Sequence, residues 1–254
     1  MNKKKLPLEI PVILDETENY AVIYKPPGMH CTGLKKRAGI FENETLLDWY
    51  ASIFPNVINI NGRQITDGGL VHRLDFETKG LVLFAKNQQT LDNILKQQAE
   101  GKFIKEYTAF STKKTSLQKS FPEPPFVFLA LDCIEKKNFV IESFFRPFGP
   151  GRKQVRPVIN EKGNSKNIAK DRDAYYRTEV VNAVELKDCY NFTIRLQRGF
   201  RHQIRCHLTW IGCPVLNDPL YSGQPVNGFL ALEATALTFT DPDKGIIKRY
   251  CLDF

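Results

Sequence analysis

The chain has 254 residues, 42% of them hydrophobic and 25% charged, which is typical of a globular protein that buries its core without disulfide or metal staples. No apolar run is long enough to cross a bilayer and no secretory signal opens the chain, so we expect a cytoplasmic protein. Lysine plus arginine exceed aspartate plus glutamate by 36 − 28 = 8, which favours a polyanionic partner only weakly.

The first part of the chain predicts short strands and two helices. Residues 10–14 and 20–24 have the pattern of strands around a polar turn, and Lys-Pro-Pro-Gly at 25–28 then interrupts regular structure because proline cannot donate to a ladder. The remaining predicted elements of this part are a helix at 45–54, a buried strand at 80–86, a helix capped by Asn87 and ended by Gly101, and a strand at 103–110.

The second part predicts mainly strands. A polar stretch at 111–125 connects the two parts, and the composition of 149–153 indicates a mobile basic loop. The predicted elements are a strand pair at 174–186 and 189–196, a short helix at 202–211, and closing strands at 229–240 and 246–252. These elements predict a mixed α/β (α+β) fold on a largely antiparallel sheet with short flanking helices. We expect one domain, residues 1–254, made of two halves at about 10–115 and 125–254.

The six cysteines are scattered, which suits free thiols in a reducing compartment. His202, Cys206, His207 and Cys213 could be picked out as metal ligands. They lack the paired-cysteine spacing of structural zinc sites, and most of them fit a helix that faces a core. We therefore expect no metal.

Positive charge is concentrated in two regions. Four arginines and no acid lie between 195 and 205. Between 146 and 172 there are two acids against eight basic residues: Arg146, Arg152, Lys153, Arg156, Lys162, Lys166, Lys170 and Arg172. Arginine-rich stretches suit phosphate contacts, although a solvated basic surface would look the same from charge alone.

Three segments combine polar groups with apolar flanks: 69–80, with His72-Arg73-Leu74-Asp75; 102–109, with Lys105 and Tyr107; and 198–208, with Arg201 and Arg205 one helical turn apart. On composition alone, a turn aspartate and a core tyrosine are the simpler interpretations of Asp75 and Tyr107. The arginines of the third segment need an anion, and Asp75 and RNA phosphates are the candidates.

Four motifs in order resemble those of the RluA-type pseudouridine synthases. His72-Arg73-Leu74-Asp75 with Thr78 and Gly80-Leu81 resembles H-R-L-D-x-x-T-S-G-L-L. Lys25-Pro26-Pro27-Gly28 resembles the K-P-x-G turn, and Lys105 to Ala109 the K-x-Y-x-A strand. The fourth motif, G-R-T-H-Q-I-R-x-H-L…G-x-P-x-x-x-D-x-x-Y, is matched by Gly199, His202-Gln203-Ile204-Arg205, His207-Leu208, Gly212, Pro214 and Asp218-Pro219-Leu220-Tyr221.

The resemblance implies an enzyme that isomerises uridine to pseudouridine in ribosomal or transfer RNA. It implies a pseudouridine synthase fold with the catalytic cleft between two halves, no cofactor and no membrane partner. We also expect a monomer without a separate N-terminal RNA-binding module. The catalytic residues would be Asp75 as the carboxylate, Arg205 paired with it, and Tyr107 stacked on the uracil. The expected RNA contacts are Arg73, His72, Lys105, Arg152, Lys153, Arg156, Arg201, His202 and Gln203.

Two departures from the family pattern stand out. Lys79 replaces the usual serine, and Phe200-Arg201 replace the usual Arg-Thr pair, so the phosphate contacts beside the site are open to rearrangement. Two other functions are also considered. One is a non-catalytic RNA-binding protein with the same fold, which would not need Asp75, Tyr107 and Arg205 together. The other is a hydrolase using His72 and Asp75, which lacks an obvious nucleophilic serine or cysteine.

Overall fold

The computed structural model describes residues 10–33, 44–113, 117–127, 138–159, 175–222 and 227–252. The chain divides into two compact units, of which the first joins Met1–Lys105 to Glu233–Phe254 and the second is Glu106–Leu232. This division differs from the halves expected at about 10–115 and 125–254. The C-terminal strands return to the first unit because they pair there, so the second unit is an insertion in the sequence of the first.

The first unit is built on strands β1 (Val12–Glu16), β2 (Tyr20–Lys25), β3 (Lys79–Ala85), β9 (Leu232–Thr240) and β10 (Ile247–Cys251). Antiparallel pairing joins β1 to β2, β2 to β3 and β9 to β10. Strands β3 and β9 pair in parallel, at Lys79 and Gly80. The predicted strands of this unit are confirmed, with shifts of no more than three residues at their ends.

The described residues of the first unit include two α-helices and a short 3-10 helix, Pro55–Asn59. Helix α1 (Leu46–Ile53) begins at a capping box. The Thr45 hydroxyl accepts from the Asp48 N–H, and the Asp48 carboxylate accepts from the Thr45 N–H. Helix α2 (Gln88–Ala99) begins at Asn87, whose side chain accepts from the Thr90 N–H, as predicted. The core of this unit is apolar and includes Val22, Leu83, Leu91, Ile94, Phe103 and Phe239.

The second unit contains most of β4 (Ile104–Thr112), with β5 (Phe139–Phe148), β6 (Gln154–Val158), β7 (Tyr176–Glu185), β8 (Cys189–Leu196) and helix α3 (Gln203–Trp210). Its strand order is β4-β8-β7-β5-β6. The pairings of β5 with β6, β5 with β7 and β7 with β8 are antiparallel, which supports the predicted mixed α+β class. The predicted β7–β8 hairpin is confirmed.

Two elements of the second unit were not predicted. Strands β5 and β6 form a hairpin, so the predicted mobile loop at 149–153 is instead a short 3-10 turn, Pro150–Arg152, between paired strands.

Helix α3 begins at Gln203, after His202 in a left-handed conformation with φ 54°. The expectation that Arg201 and Arg205 lie one turn apart on a helix is therefore wrong, because Arg201 precedes the helix.

Candidate active site

The loop around Asp75 leads into β3. The Asp75 carbonyl accepts a hydrogen bond from the Thr78 N–H over 3.2 Å, which closes a tight turn. Asp75 itself is half-buried. Leu74 on one side is buried, whereas Phe76 on the other is 40% exposed. The sequence at this point therefore places a carboxylate at the boundary between the interior of the first unit and solvent.

The Lys-Pro-Pro-Gly turn holds this loop by its main chain. The Phe76 carbonyl accepts one hydrogen bond from the Gly28 N–H at 2.9 Å and another from the Lys25 ammonium at 3.3 Å. Gly28 adopts φ 75°, a left-handed conformation that glycine reaches without strain. The turn thus fixes the residue that follows Asp75.

Cys31 holds the residue that precedes Asp75. Its thiol accepts from the Leu74 N–H over 3.3 Å and donates to the Leu74 carbonyl over 3.5 Å. Burial raises the pKa of the Cys31 thiol, which keeps the proton needed for the second of these contacts. The segment from Lys25 to Cys31 therefore fixes the main chain on both sides of Asp75.

Lys25 is a fully buried ammonium. Besides the Phe76 carbonyl it donates to those of Pro26, at 2.8 Å, and Met29, at 2.9 Å. Burial lowers the pKa of Lys25 to about 8, and the negative charges of Asp75 and Glu77 act in the opposite direction. A buried cation close to Asp75 was not among the predicted site residues, although the turn that carries it was.

The residues after Asp75 anchor the loop to β9. A side chain on Gly80 would place its Cβ 2.3 Å from the Ala234 carbonyl oxygen, so the signature glycine is required for this close approach. Lys79, which replaces the usual serine, faces Glu233 across the β3–β9 pair at 3.5 Å. Glu233 also accepts a hydrogen bond from the Tyr24 hydroxyl. The departure at Lys79 thus supplies an ion pair within the first unit.

His72 and Lys105 were expected to contact RNA, and both point into the first unit. The His72 Nε2 atom accepts from the Leu83 N–H at 3.4 Å, and the ring packs on Phe103. Burial, with Lys105 and Arg63 nearby, lowers the pKa of His72 well below its usual value, so the ring is neutral. Burial also lowers the pKa of Lys105 to about 8.

Arg73 is the exposed member of the first signature. Its side chain is 50% exposed and its guanidinium lies 3.8 Å from the carboxylate of Asp67, which is itself buried. An ion pair of this length, with one exposed partner, leaves most of the guanidinium surface in solvent. Arg73 is therefore accessible for the RNA contact expected of it.

In the second unit, Arg205 forms a buried ion pair with Asp218. Both side chains are 0% exposed. The Arg205 Nε and Nη2 atoms each donate to one Asp218 oxygen at 2.8 Å, and the guanidinium also lies over the Tyr221 ring at 5.6 Å. Asp218 belongs to the fourth motif, and it supplies an anion for Arg205 that the sequence did not identify. The expected pairing of Arg205 with Asp75 stays a prediction.

The Asp218 carboxylate also organises its own loop. One of its oxygens accepts from the N–H groups of Leu220 and Tyr221, at 2.9 and 3.2 Å. The Tyr221 hydroxyl in turn accepts from the Val155 N–H at 2.8 Å and contacts the His202 ring at 3.3 Å. The D-x-x-Y part of the signature thus links α3 to β6.

Tyr107, the residue expected to stack on the uracil, lies on β4 and is buried in the second unit.

Two of the expected RNA contacts, Gln203 and Arg201, form hydrogen bonds with protein groups. Gln203 is buried; its amide nitrogen donates to the Arg177 carbonyl and the Thr178 hydroxyl, and its oxygen accepts from the Phe200 N–H. Arg201 is exposed but donates to the carbonyls of Arg152 and Gln154, at 2.9 and 3.0 Å. The departure at Arg201 therefore braces the turn between β5 and β6.

The basic region is described only in part. Arg152 and Lys153 are exposed on the turn, and Arg156 faces Arg146 across the β5–β6 pair. Arg156 donates to the Ser120 carbonyl and lies 6.0 Å from the Phe148 ring. Like charges opposite each other are unfavourable without an anion. Lys162, Lys166, Lys170 and Arg172 lie outside the described residues.

Among the described residues, no group of three or more histidine, cysteine or acidic side chains is arranged to hold a metal ion. His207 is instead bridged between the hydroxyls of Ser143 and Thr178, at 2.9 and 2.8 Å. Burial lowers its pKa to about 3. The Cys206 thiol donates to the Val155 carbonyl.

No helix in the described part of the chain is long and apolar enough to cross a membrane.

Comparison with known proteins gives concordant results. The model of a family described as RNA pseudouridylate synthase matches residues 19–210. An uncharacterised RNA pseudouridine synthase of Mycoplasma pneumoniae is 31% identical over 93% of this chain and 64% of its own. The ribosomal large subunit pseudouridine synthase D of Zymomonas mobilis is 27% identical over 85% of this chain and 57% of its own. The chain thus spans less than two thirds of the length of either relative.

A solved structure has a similar fold. The human RNA pseudouridylate synthase domain containing 1 protein has a TM-score of 0.60 and 18% identity, and the match covers 98% of this chain and 85% of that one. At this identity the similarity supports the fold alone. It agrees with the mixed α+β architecture of the two units.

Proposed function

Because the chain belongs to the RNA pseudouridylate synthase family, we propose that it isomerises uridine to pseudouridine in structured RNA, with Asp75 as the catalytic carboxylate. The observation that carries the assignment of Asp75 is the way its loop is held. Lys25, Gly28 and Cys31 fix the main chain of Leu74 and Phe76, while Asp75 between them stays half-buried. A carboxylate held in one position is what a reaction at a single sugar carbon requires.

The reaction breaks the glycosidic N1–C1′ bond, turns the uracil and rejoins it through C5, without change of oxidation state. An ionised carboxylate at C1′ can attack the sugar, stabilise a cationic intermediate or remove a neighbouring proton. The resemblance assigns Arg205 to the charge of Asp75 and Tyr107 to stacking on the uracil. These roles are part of the proposal.

The target uridine must leave its stack before it can react, at a cost of about a few kcal/mol. Contacts of basic side chains with the RNA backbone offset this cost. Arg73, half-exposed beside Asp75, would fill or brace the vacated stack. The exposed turn with Arg152 and Lys153 and the neighbouring Arg156 would bind phosphates.

We also propose that the substrate is ribosomal or transfer RNA and that the protein acts as a monomer in the cytoplasm. The relative of Zymomonas mobilis named for the large ribosomal subunit supports a ribosomal substrate. Mapping pseudouridines in total RNA with and without the gene would identify the modified uridine.

The change Asp75→Asn tests the catalytic assignment. It preserves the shape of the side chain and removes its charge, so the variant should fold and bind RNA but form no detectable pseudouridine. The measurement is pseudouridine content after incubation with unmodified total RNA, beside filter binding of the same RNA. Asp92→Asn, at an exposed carboxylate on α2, is the matched control and should retain full activity.

Two results would contradict the proposal in different ways. Substantial activity in Asp75→Asn would remove Asp75 from the chemistry. No pseudouridine formation by the wild-type protein on any uridine of total RNA would favour the alternative of a non-catalytic RNA-binding protein with this fold.

A further inference from the structure

Phe76 is a large apolar side chain that remains 40% exposed immediately after Asp75. Consecutive Cα atoms are about 3.8 Å apart, so the Phe76 and Asp75 side chains leave the main chain at neighbouring points. An exposed phenylalanine alone needs no explanation, because much of any protein surface is apolar. Its position beside the proposed catalytic group and its fixed main chain distinguish this one.

Both the main chain and the ring of Phe76 are held by contacts within the first unit. The Phe76 carbonyl accepts hydrogen bonds from the Gly28 N–H and the Lys25 ammonium. The His30 ring packs against the Phe76 ring with centroids 4.6 Å apart and planes inclined by 41°. Contact with His30 supports the ring from one side and leaves a substantial part of the phenylalanine in solvent.

The His30–Phe76 pair carries no charge at neutral pH. Phenylalanine is apolar, and burial together with the nearby Lys25 lowers the pKa of His30 below its usual value. Neither ring therefore attracts a partner by charge, and a flat, polarisable group can pack on the exposed part of the phenylalanine. Aromatic side chains that bind single-stranded nucleic acid use this kind of contact, which every base can make.

We propose that Phe76, backed by His30, is a stacking site for an unpaired nucleobase adjoining the target uridine. This inference rests on the proposed function, because it assumes that a uridine is extruded at Asp75. Extrusion leaves the neighbouring base without a stacking partner on one face, and the exposed ring beside Asp75 offers a replacement. The site would be tolerant of base identity and would help to hold the flanking strand open.

The test compares Phe76→Ala and Phe76→Trp in binding a fluorescein-labelled single-stranded oligouridylate. Removing the ring should weaken binding about tenfold, since one base–aromatic stack contributes about 1–3 kcal/mol. Tryptophan should keep the wild-type affinity, and its fluorescence should be quenched as the oligouridylate binds, measured against the signal of Trp49 and Trp210 in the wild-type protein. Phe229→Ala, at a phenylalanine that is 56% exposed in the second unit, is the matched control and should bind as wild type.

Salt dependence separates stacking from phosphate binding. Phe76→Ala removes no charge, so the slope of log affinity against log salt should stay at the wild-type value. The triple change Arg152→Glu, Lys153→Glu and Arg156→Glu should flatten that slope. The proposal is overturned if Phe76→Ala binds as tightly as wild type, if Phe229→Ala weakens binding equally, or if Phe76→Trp is not quenched.

The two proposals fail separately. Oligouridylate binding requires no turnover, so loss of the Phe76 effect would leave the result with Asp75→Asn intact. Conversely, full activity of Asp75→Asn would overturn the catalytic assignment while the stacking measurement still stood.

Discussion

Asp75 and Arg205 each occupy the centre of a signature, and each is held in its own unit by a different kind of contact. Around Asp75 the contacts are to the main chain, through Lys25, Gly28 and Cys31, and the residue remains half-buried. Arg205 is held by its side chain, through two hydrogen bonds to Asp218, and is completely buried.

The contacts of Asp75 and Arg205 differ because one charged group has to remain accessible and the other is completely buried. A buried guanidinium cannot lose its proton, so a buried carboxylate must compensate its charge. A carboxylate that reacts with RNA has to remain reachable, and contacts to its neighbours' carbonyl and N–H groups position it without covering it. The first unit therefore leaves its charged group accessible, and the second neutralises its own internally.

Breaking the Arg205–Asp218 pair should have the largest effect on stability. Asp218→Asn leaves a buried guanidinium with a neutral partner and should lower the free energy of unfolding by about 3–5 kcal/mol. Glu185→Gln is the control from the same unit, because the Lys113–Glu185 pair is exposed; it should cost no more than about 1 kcal/mol. Urea unfolding of the two variants measures the difference, and equal midpoints would contradict it.

The buried cation of the first unit, unlike Arg205, should titrate. The pKa of Lys25 is lowered to about 8, whereas the unfolded chain keeps its proton to higher pH. Between pH 8 and 10 the unfolded state binds more protons than the folded state, so stability rises with pH, by at most about 1.4 kcal/mol per pH unit. Urea unfolding across this range measures the rise.

Lys25→Met should lose this contribution, while the exposed control Lys244→Met should keep it. Lys105, whose pKa is also lowered to about 8, adds a rise of the same sign, so some pH dependence should persist in Lys25→Met. Identical pH dependence in wild type and Lys25→Met would contradict the prediction that Lys25 loses its proton in the folded protein near pH 8.

The smallest effect is expected at Cys31. Cys31→Val keeps the apolar volume but loses both sulfur contacts with Leu74, so stability should fall by about 1 kcal/mol. Because Leu74 precedes Asp75, kcat for pseudouridine formation should fall severalfold with KM unchanged. Cys206→Val, at a buried thiol that donates a hydrogen bond to the Val155 carbonyl, should lower stability by a similar amount. An unchanged kcat in Cys31→Val would contradict the positioning role of the Leu74 contacts.

Much of the local structure followed from sequence. Asn87 caps α2 and the β7–β8 hairpin turns near Lys187 and Asp188, because caps, turns and apolar periodicity act over a few neighbouring residues. Strands β5 and β6 were not predicted, because the glycines and basic residues between them are typical of a loop. The pairing of β5 with β6 on one side and with β7 on the other defines these strands.

The position of Asp75 in a loop before a buried strand, and the residue types around it, were determined by the sequence. Which groups surround it was decided by tertiary structure, since Lys25 reaches Phe76 across 51 positions of sequence. The same holds for Arg205, whose partner Asp218 stands 13 positions away, and for Lys79 opposite Glu233. Side-chain type and local pattern are read from neighbours in sequence, whereas the partner of a charge depends on which strands and loops the fold brings together.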